Sequence, residues 1–225
     1  LISWRAVFGL YGVISLVTAA LLFRLPAARP VVPGVASGQA YGAVLRLRRA
    51  QLLYLLVALE GAVVLGAFTY LGAYFEGAYG LGYLAIGLIL ACYGGGTLLA
   101  SRLFTRLGSR LGEADRVLVG GMLLAGGYLA LLPLPVWQLT PLPLLGMGIG
   151  FALFHSTLQT RATELVPTAR GTAVAVFAFA LFVGGSIGTA GFGWLATAHG
   201  YEPLLLVAGL GMLGVATLAR GSWSR

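Results

Sequence analysis

Residues 51–74 read QLLYLLVALEGAVVLGAFTYLGAY, and Glu60 is the only formal charge in the stretch. A helix of about 20 apolar residues crosses the hydrocarbon core of a bilayer, so this segment alone is long enough to do so. Six more apolar stretches accompany it, near residues 6–23, 81–100, 117–132, 142–160, 172–197 and 204–219. Seven such stretches in 225 residues leave no room for a soluble domain. The expected fold is an all-α membrane protein of seven transmembrane helices.

Composition points the same way. Only 9% of residues are charged and 59% are hydrophobic, whereas a soluble domain carries about 25% charged residues. The 35 glycines suit helices that pack closely within lipid. The net charge of +8 comes from 14 arginines with no lysine. We read these arginines as topological anchors facing anionic headgroups, not as a nucleic-acid surface. The lone Cys92 lies in an apolar stretch and makes no disulfide within the chain and no metal cluster.

The arginines also assign the sides. Arg24, Arg29, Arg46, Arg48, Arg49, Arg102, Arg106, Arg110, Arg116, Arg161, Arg170, Arg220 and Arg225 fall in alternate gaps, with Arg5 alone opposite. The positive-inside rule then puts the N-terminus of this chain outside and its C-terminus in the cytoplasm. The organisation read from this pattern is a single helix over 1–25, a cytoplasmic linker over 26–50 and a six-helix bundle over 51–225. The linker is rich in Pro, Gly and Arg, with a surface-lying turn expected near Arg46–Arg49. A polar turn is expected at Glu76-Gly77. The last six spans form two triplets of opposite orientation, a 3+3 arrangement found in inverted-repeat transporters.

Few residues here can carry chemistry. Glu60 lies nine residues into its span, roughly 13 Å deep at 1.5 Å per residue. A charge at that depth costs about 2.5–3.5 kcal/mol on insertion scales. It reads either as a proton- or cation-responsive site or as a neutral acid hydrogen-bonded to a neighbouring helix. Tyr74, fourteen residues on, returns to nearly the same face, with Tyr70 to one side. They read as one wall of a pathway, or in the case of Tyr74 as an interface anchor. His155 and Gln159, four apart, share a face and line a cavity or join helices by hydrogen bonds. Glycine pairs at Gly146/Gly150 and Gly184/Gly188 are packing signals. A retinal protein needs a lysine for its Schiff base, and none is present. An intramembrane hydrolase would need Ser156 or Ser186 beside a histidine. No catalytic residues, cofactor or metal site are expected.

Several motifs resemble one family. Trp4-Arg5-Ala6-Val7-Phe8 resembles the start of the sixth helix of a major facilitator superfamily transporter of the bacterial drug or sugar efflux kind. The 24–50 segment is similar to that family's central linker, and Glu60-Gly61 through Gly66-Ala67-Phe68 to its seventh helix. The most specific likeness is the run from Leu158 to Pro167 with Ala169-Arg170-Gly171-Thr172-Ala173, similar to the loop between its tenth and eleventh helices. Ser101 to Arg110 occupies the place of a gating loop; Arg102 lies in it, and Arg106, Gly108 and Arg110 match the pattern. Ser101, Thr105 and Ser109 depart from it, and Thr105 removes the acid that would latch a helix end. The resemblance implies the C-terminal half of a transporter whose N-terminal half, with five further spans, precedes Leu1. It implies alternating-access export of a small organic solute in exchange for protons, in the inner membrane. A non-transporting scaffold or sensor subunit built on the same bundle is the alternative.

Overall fold

The computed structural model describes residues 4–25, 37–107, 111–132, 134–165 and 167–223. Among them are nine α-helices: α1 (Trp4–Leu22), α2 (Ser37–Leu45), α3 (Arg48–Phe68), α4 (Leu71–Tyr79), α5 (Tyr83–Leu107), α6 (Glu113–Ala130), α7 (Pro141–Leu165), α8 (Arg170–His199) and α9 (Tyr201–Trp223). Two short 3₁₀ turns, Trp137–Leu139 and Pro167–Ala169, complete the secondary structure of the described residues. An all-helical solution is what a bilayer enforces, because a helix satisfies its backbone hydrogen bonds internally where no water can. The described residues fall into two compact units, one containing α1 and the other everything from α2 onward. α1 is apolar apart from Arg5, Ser15 and Thr18.

Among the described residues, six segments are long and apolar enough to cross a membrane: Arg5–Leu22, Arg48–Tyr79, Tyr83–Arg102, Trp137–Leu165, Arg170–His199 and Tyr201–Ser222. The expected fourth span corresponds to α6, which has only 18 residues and opens on Glu113, Asp115 and Arg116. Glu113 lies 3.8 Å from Arg161 near the end of α7, and Asp115 lies 3.4 Å from Arg220 near the end of α9. The two acids in the first turn of α6 and Arg220 in the last turn of α9 each suit the helix dipole they face. α7 runs on through Arg161 and Glu164, residues that read as loop in the sequence, and the first of these pairs ties Arg161 to α6.

Two local expectations are corrected. Glu76 and Gly77 lie inside α4, and the chain instead breaks at Thr69–Tyr70 and turns at Gly80, whose φ of 65° is left-handed. The short helix in the linker is α2, ahead of Arg46, while Arg48 and Arg49 already belong to the first turn of α3. Residues 26–36 of the expected linker lie outside the described residues.

Within the bundle, α3 packs on α8, α5 on α7, α6 on α7 and on α9, and α3 more lightly on α9 and α7. Exchanging the triplets α3/α5/α6 and α7/α8/α9 turns the α3–α8 contact into the α7–α5 contact, and the α6–α7 contact into the α9–α3 contact. The first exchange relates contacts of similar extent, but α9–α3 is much lighter than α6–α7, so the pairing follows an inverted repeat only in part. The packing of α8 on α7 and α9 has no counterpart of similar extent.

Glycine sets how near these helices come. A Cβ on Gly184 would overlap the carbonyl of Ala58, and one on Gly188 that of Ala62. Gly61 meets Leu181 in the same way from the α3 side. In the α5–α7 contact, Gly96 and Gly148 have the same role against Leu145 and Tyr93. Gly150 approaches the backbone of Gly120, but a Cβ on Gly146 would meet nothing within 4 Å. Only one member of that sequence pair is therefore a packing glycine. Tyrosine hydroxyls add polar ties between helices: Tyr54 donates to the Ala173 carbonyl at 3.2 Å, and the wholly buried Tyr128 to that of Val64 at 3.1 Å.

The glycine contacts define a pair of opposite substitutions. Gly184→Val should lower the stability of the detergent-solubilised protein by about 1–3 kcal/mol or more, as overpacking does. Gly146→Ala should be neutral or stabilising by up to about 1 kcal/mol, since alanine favours the helix. Thermal unfolding of the two variants beside the parent measures both.

Candidate functional site

The centre of interest is where α3 and α7 meet. Glu60 is twelve residues past the start of α3 and His155 fourteen past the start of α7, which places each roughly 18–21 Å along its helix. Both therefore lie in the membrane-embedded interior of the bundle. Nδ1 of His155 is 3.1 Å from Oε1 of Glu60. The two residues arose from separate sequence arguments, and the fold brings them into contact.

The surroundings are unequal. The Glu60 side chain is fully enclosed, while 17% of the His155 side chain is exposed. Oε2 of Glu60 is buried without a hydrogen-bond partner. A buried polar atom left unpaired is costly, so Oε2 is a position where a proton or a ligand group can be added without breaking an existing bond. The imidazole is held in aromatic packing. Its ring stacks on Phe151 at 4.7 Å and 18°, and meets the edge of Phe177 at 5.1 Å. Phe151 continues to Tyr93 at 5.9 Å, and Tyr93 to Phe68 at 4.7 Å. A line of rings thus crosses from α3 through α5 and α7 to α8.

The pair has simple proton chemistry. With the carboxylate ionised and the imidazole neutral, Nδ1–H donates to Oε1 and the pair carries one negative charge. A single added proton, on either residue, makes the pair neutral overall. The hydrogen bond can survive this change, because either Nδ1–H or a carboxyl O–H can be the donor.

The other sequence candidates go elsewhere. The Tyr70 hydroxyl donates to the Thr189 carbonyl at 2.8 Å, joining the α3–α4 break to α8. The buried Tyr74 hydroxyl donates to the Leu131 carbonyl at 2.9 Å, and its ring lies among Phe75, Tyr79 and Tyr201. Gln159 is exposed and makes no side-chain hydrogen bond among the described residues. Arg102 is exposed near the end of α5. The side chain of Arg106, and Gly108 and Arg110 altogether, lie outside the described residues. The hydroxyls of Ser156 and Ser186 donate to carbonyls four residues back in their own helices, Ala152 and Phe182. Neither is hydrogen-bonded to histidine. Among the described residues, no three His, Cys, Asp or Glu side chains gather to hold a metal.

Sequence reasoning missed Phe151, Phe177 and Tyr93. One of them was accessible: Phe151 is four residues before His155, the spacing that stacks side chains along a helix face. Phe177 and Tyr93 come from other helices and carried no local signal.

An all-helical bundle of membrane-length helices with an acid–histidine contact between α3 and α7 defines a polytopic membrane protein. Residues 1–189 match the Major Facilitator Superfamily, and the chain belongs to that superfamily. It is 28% identical over 207 residues to YceJ of Bacillus subtilis (strain 168), an uncharacterized MFS-type transporter. That alignment covers 88% of this chain and 52% of YceJ, so the chain spans about half the length of that relative. No solved structure matches the chain.

The buried contact should be energetically coupled. His155→Phe strands the Glu60 carboxyl and should cost about 3–5 kcal/mol, as removing one partner of a buried pair does. Combining it with Glu60→Leu should recover part of that loss, giving a coupling of about 1–3 kcal/mol in a double-mutant cycle. Strictly additive losses would show that the two side chains do not interact.

Proposed function

We propose that this chain is the C-terminal half of a secondary transporter that moves a small organic solute by alternating access. Its coupling to protons would run through Glu60 and His155. The observation that carries the reading is the 3.1 Å contact between a fully buried carboxyl and a partly exposed imidazole on two different helices. Proton uptake there removes one net charge from an apolar interior, where a charge costs at least about 2.5–3.5 kcal/mol. A change of that size is enough to bias one arrangement of packed helices over another. The exposed side of the imidazole provides the route for the proton, and the ring stack beside it offers a surface to an apolar or aromatic solute. In inverted-repeat folds the solute site lies at mid-membrane between two halves. The missing N-terminal half would supply the opposite wall.

On this reading the protein works as an exporter in the inner membrane, not as an enzyme. Protons entering down their gradient drive solute outward. The N-terminus of this chain lies outside and the arginine-bearing ends lie in the cytoplasm, where Arg102 and Arg106 at the end of the α5 helix, with Gly108 and Arg110 after it, would serve the gating role expected of a loop. The second reading is a non-transporting scaffold or sensor, and Tyr70 and Tyr74 favour it. Both are engaged in separate helix contacts instead of facing a shared path with Glu60.

One experiment separates the two. In the full-length protein, Glu60→Gln should abolish solute efflux driven by a pH gradient, by about a hundredfold or more if coupling is lost. Expression and thermal stability should stay close to the parent. Retained gradient-driven efflux would remove Glu60 from the coupling role, and no transport by the parent with any solute would favour the scaffold.

The topology has its own check. A reporter active only in the cytoplasm, fused after Arg225, should be active, whereas a periplasmic reporter at the same point should be silent.

A further inference from the structure

We propose that Nε2 of His155 is the atom of this site that meets the solute, and that it changes from hydrogen-bond acceptor to donor when the Glu60–His155 pair takes up a proton. The solute it selects carries an N–H or O–H donor on an apolar or aromatic body. The solute assignment rests on the transport reading above, whereas the change of polarity does not.

The two imidazole nitrogens are placed differently. Nδ1 is 3.1 Å from Oε1 of Glu60, whose side chain is fully enclosed. Nε2 makes no hydrogen bond among the described residues, and unlike Oε2 of Glu60 it is not sealed off. An ionised carboxylate can only accept. It therefore holds the neutral imidazole in the tautomer that carries its proton on Nδ1, because the hydrogen bond at one nitrogen fixes the state of the other. A lone pair is left on Nε2. In that state Nε2 accepts from an N–H or O–H of the solute. Phe151, stacked on the imidazole, and Phe177 at its edge give apolar contact beside it.

Proton uptake reverses the polarity. Oε2 is enclosed, so the incoming proton bonds to the lone pair of Nε2. The Nδ1 proton then stays, giving imidazolium and carboxylate, or moves to Oε1, giving neutral imidazole and carboxylic acid. One proton has been gained in either case, and in either case Nε2 carries it. A donor on the solute now faces a donor on the protein, and both are left unpaired in an apolar interior, which is costly. Proton and solute thus exclude each other through one atom, and the solute need not be a cation.

The neighbouring helices add no charge to the pair. Tyr93 on α5 interacts electrostatically with Glu60, and Tyr128 on α6 with Tyr93. Both are phenols, and the Tyr128 hydroxyl is committed to the Val64 carbonyl. α8 meets the imidazole with Phe177 and is uncharged between Arg170 and His199, as α9 is between Glu202 and Arg220.

The test is ¹⁵N NMR of the detergent-solubilised full-length protein labelled at histidine, where the His155 signals are those displaced in Glu60→Gln. At high pH they should show a protonated Nδ1 and a pyridine-type Nε2, and on acidification Nε2 should become protonated. In Glu60→Gln the proton should divide between the two nitrogens. Indole, which donates through its N–H, and 1-methylindole, which cannot, serve as solute probes followed at Nε2. At high pH indole should bind about three- to tenfold more tightly, the worth of one net hydrogen bond, and acidification should abolish that preference. His155→Asn retains a group near the place of Nδ1 but none at Nε2, so it should bind both indoles alike. Should that variant fail to fold, the pH dependence in the parent decides. A protonated Nε2 at high pH, or histidine signals unmoved by Glu60→Gln, would overturn the change of polarity. Equal binding of the two indoles, or binding of neither, would overturn the solute assignment. Neither measurement reads efflux. A protein that shows the switch without transport therefore loses only the transport reading, and one that transports with an unchanging Nε2 loses only this inference.

Discussion

The near-contact of backbones between α3 and α8 governs much of what the bundle can do. In lipid, helices gain nothing from leaving water, so association relies on dispersion and on how closely the backbones approach. Gly61, Gly184 and Gly188 remove the side chains that would hold α3 and α8 apart. The two helices then touch through carbonyls and α-carbons. That closeness fixes the rotation of α3 about its own axis. With Gly61 turned to α8, the preceding residue, Glu60, is set about 100° around the helix and reaches His155 on α7. A glycine contact on one helix face thus aims a carboxyl on another.

The α5–α7 contact repeats this arrangement through Gly96 and Gly148. The two glycine-rich contacts are equivalent under exchange of the triplets. Both leading helices, α3 and α7, are therefore held by the same kind of packing, and each presents one ionisable residue to the other. Polar groups elsewhere in the bundle serve a different purpose. The hydroxyls of Tyr54, Tyr70, Tyr74 and Tyr128 all end on backbone carbonyls of other segments. They tie helices together, whereas the Glu60 carboxyl keeps one oxygen without a partner. Unlike those satisfied hydroxyls, the carboxyl can still gain a proton or a ligand.

The charged end of the bundle follows electrostatic rules of its own. Glu113 and Asp115 at the start of α6 face arginines near the ends of α7 and α9. The two acids and Arg220 each oppose the dipole end they sit on. Arg48 and Arg49 break that order at the start of α3.

Membrane residence, the all-helical class, the alternation of arginines and most of the helix positions were legible from the chain alone. Length, hydropathy and charge are properties of a segment, and a bilayer reads segments one at a time. Helix ends were less legible, because α6 and α7 extend into charged residues whose ion pairs lie on other helices. The importance of Glu60 could also be read locally, since a lone acid in an apolar run needs an explanation. Its partner could not. Residues 60 and 155 lie on helices that local pattern does not pair, and nothing in the sequence distinguishes a tyrosine tied to a carbonyl from one lining a path. Tertiary structure settled these points, because the rotation of a helix about its axis is decided by which of its faces finds a close-packing partner.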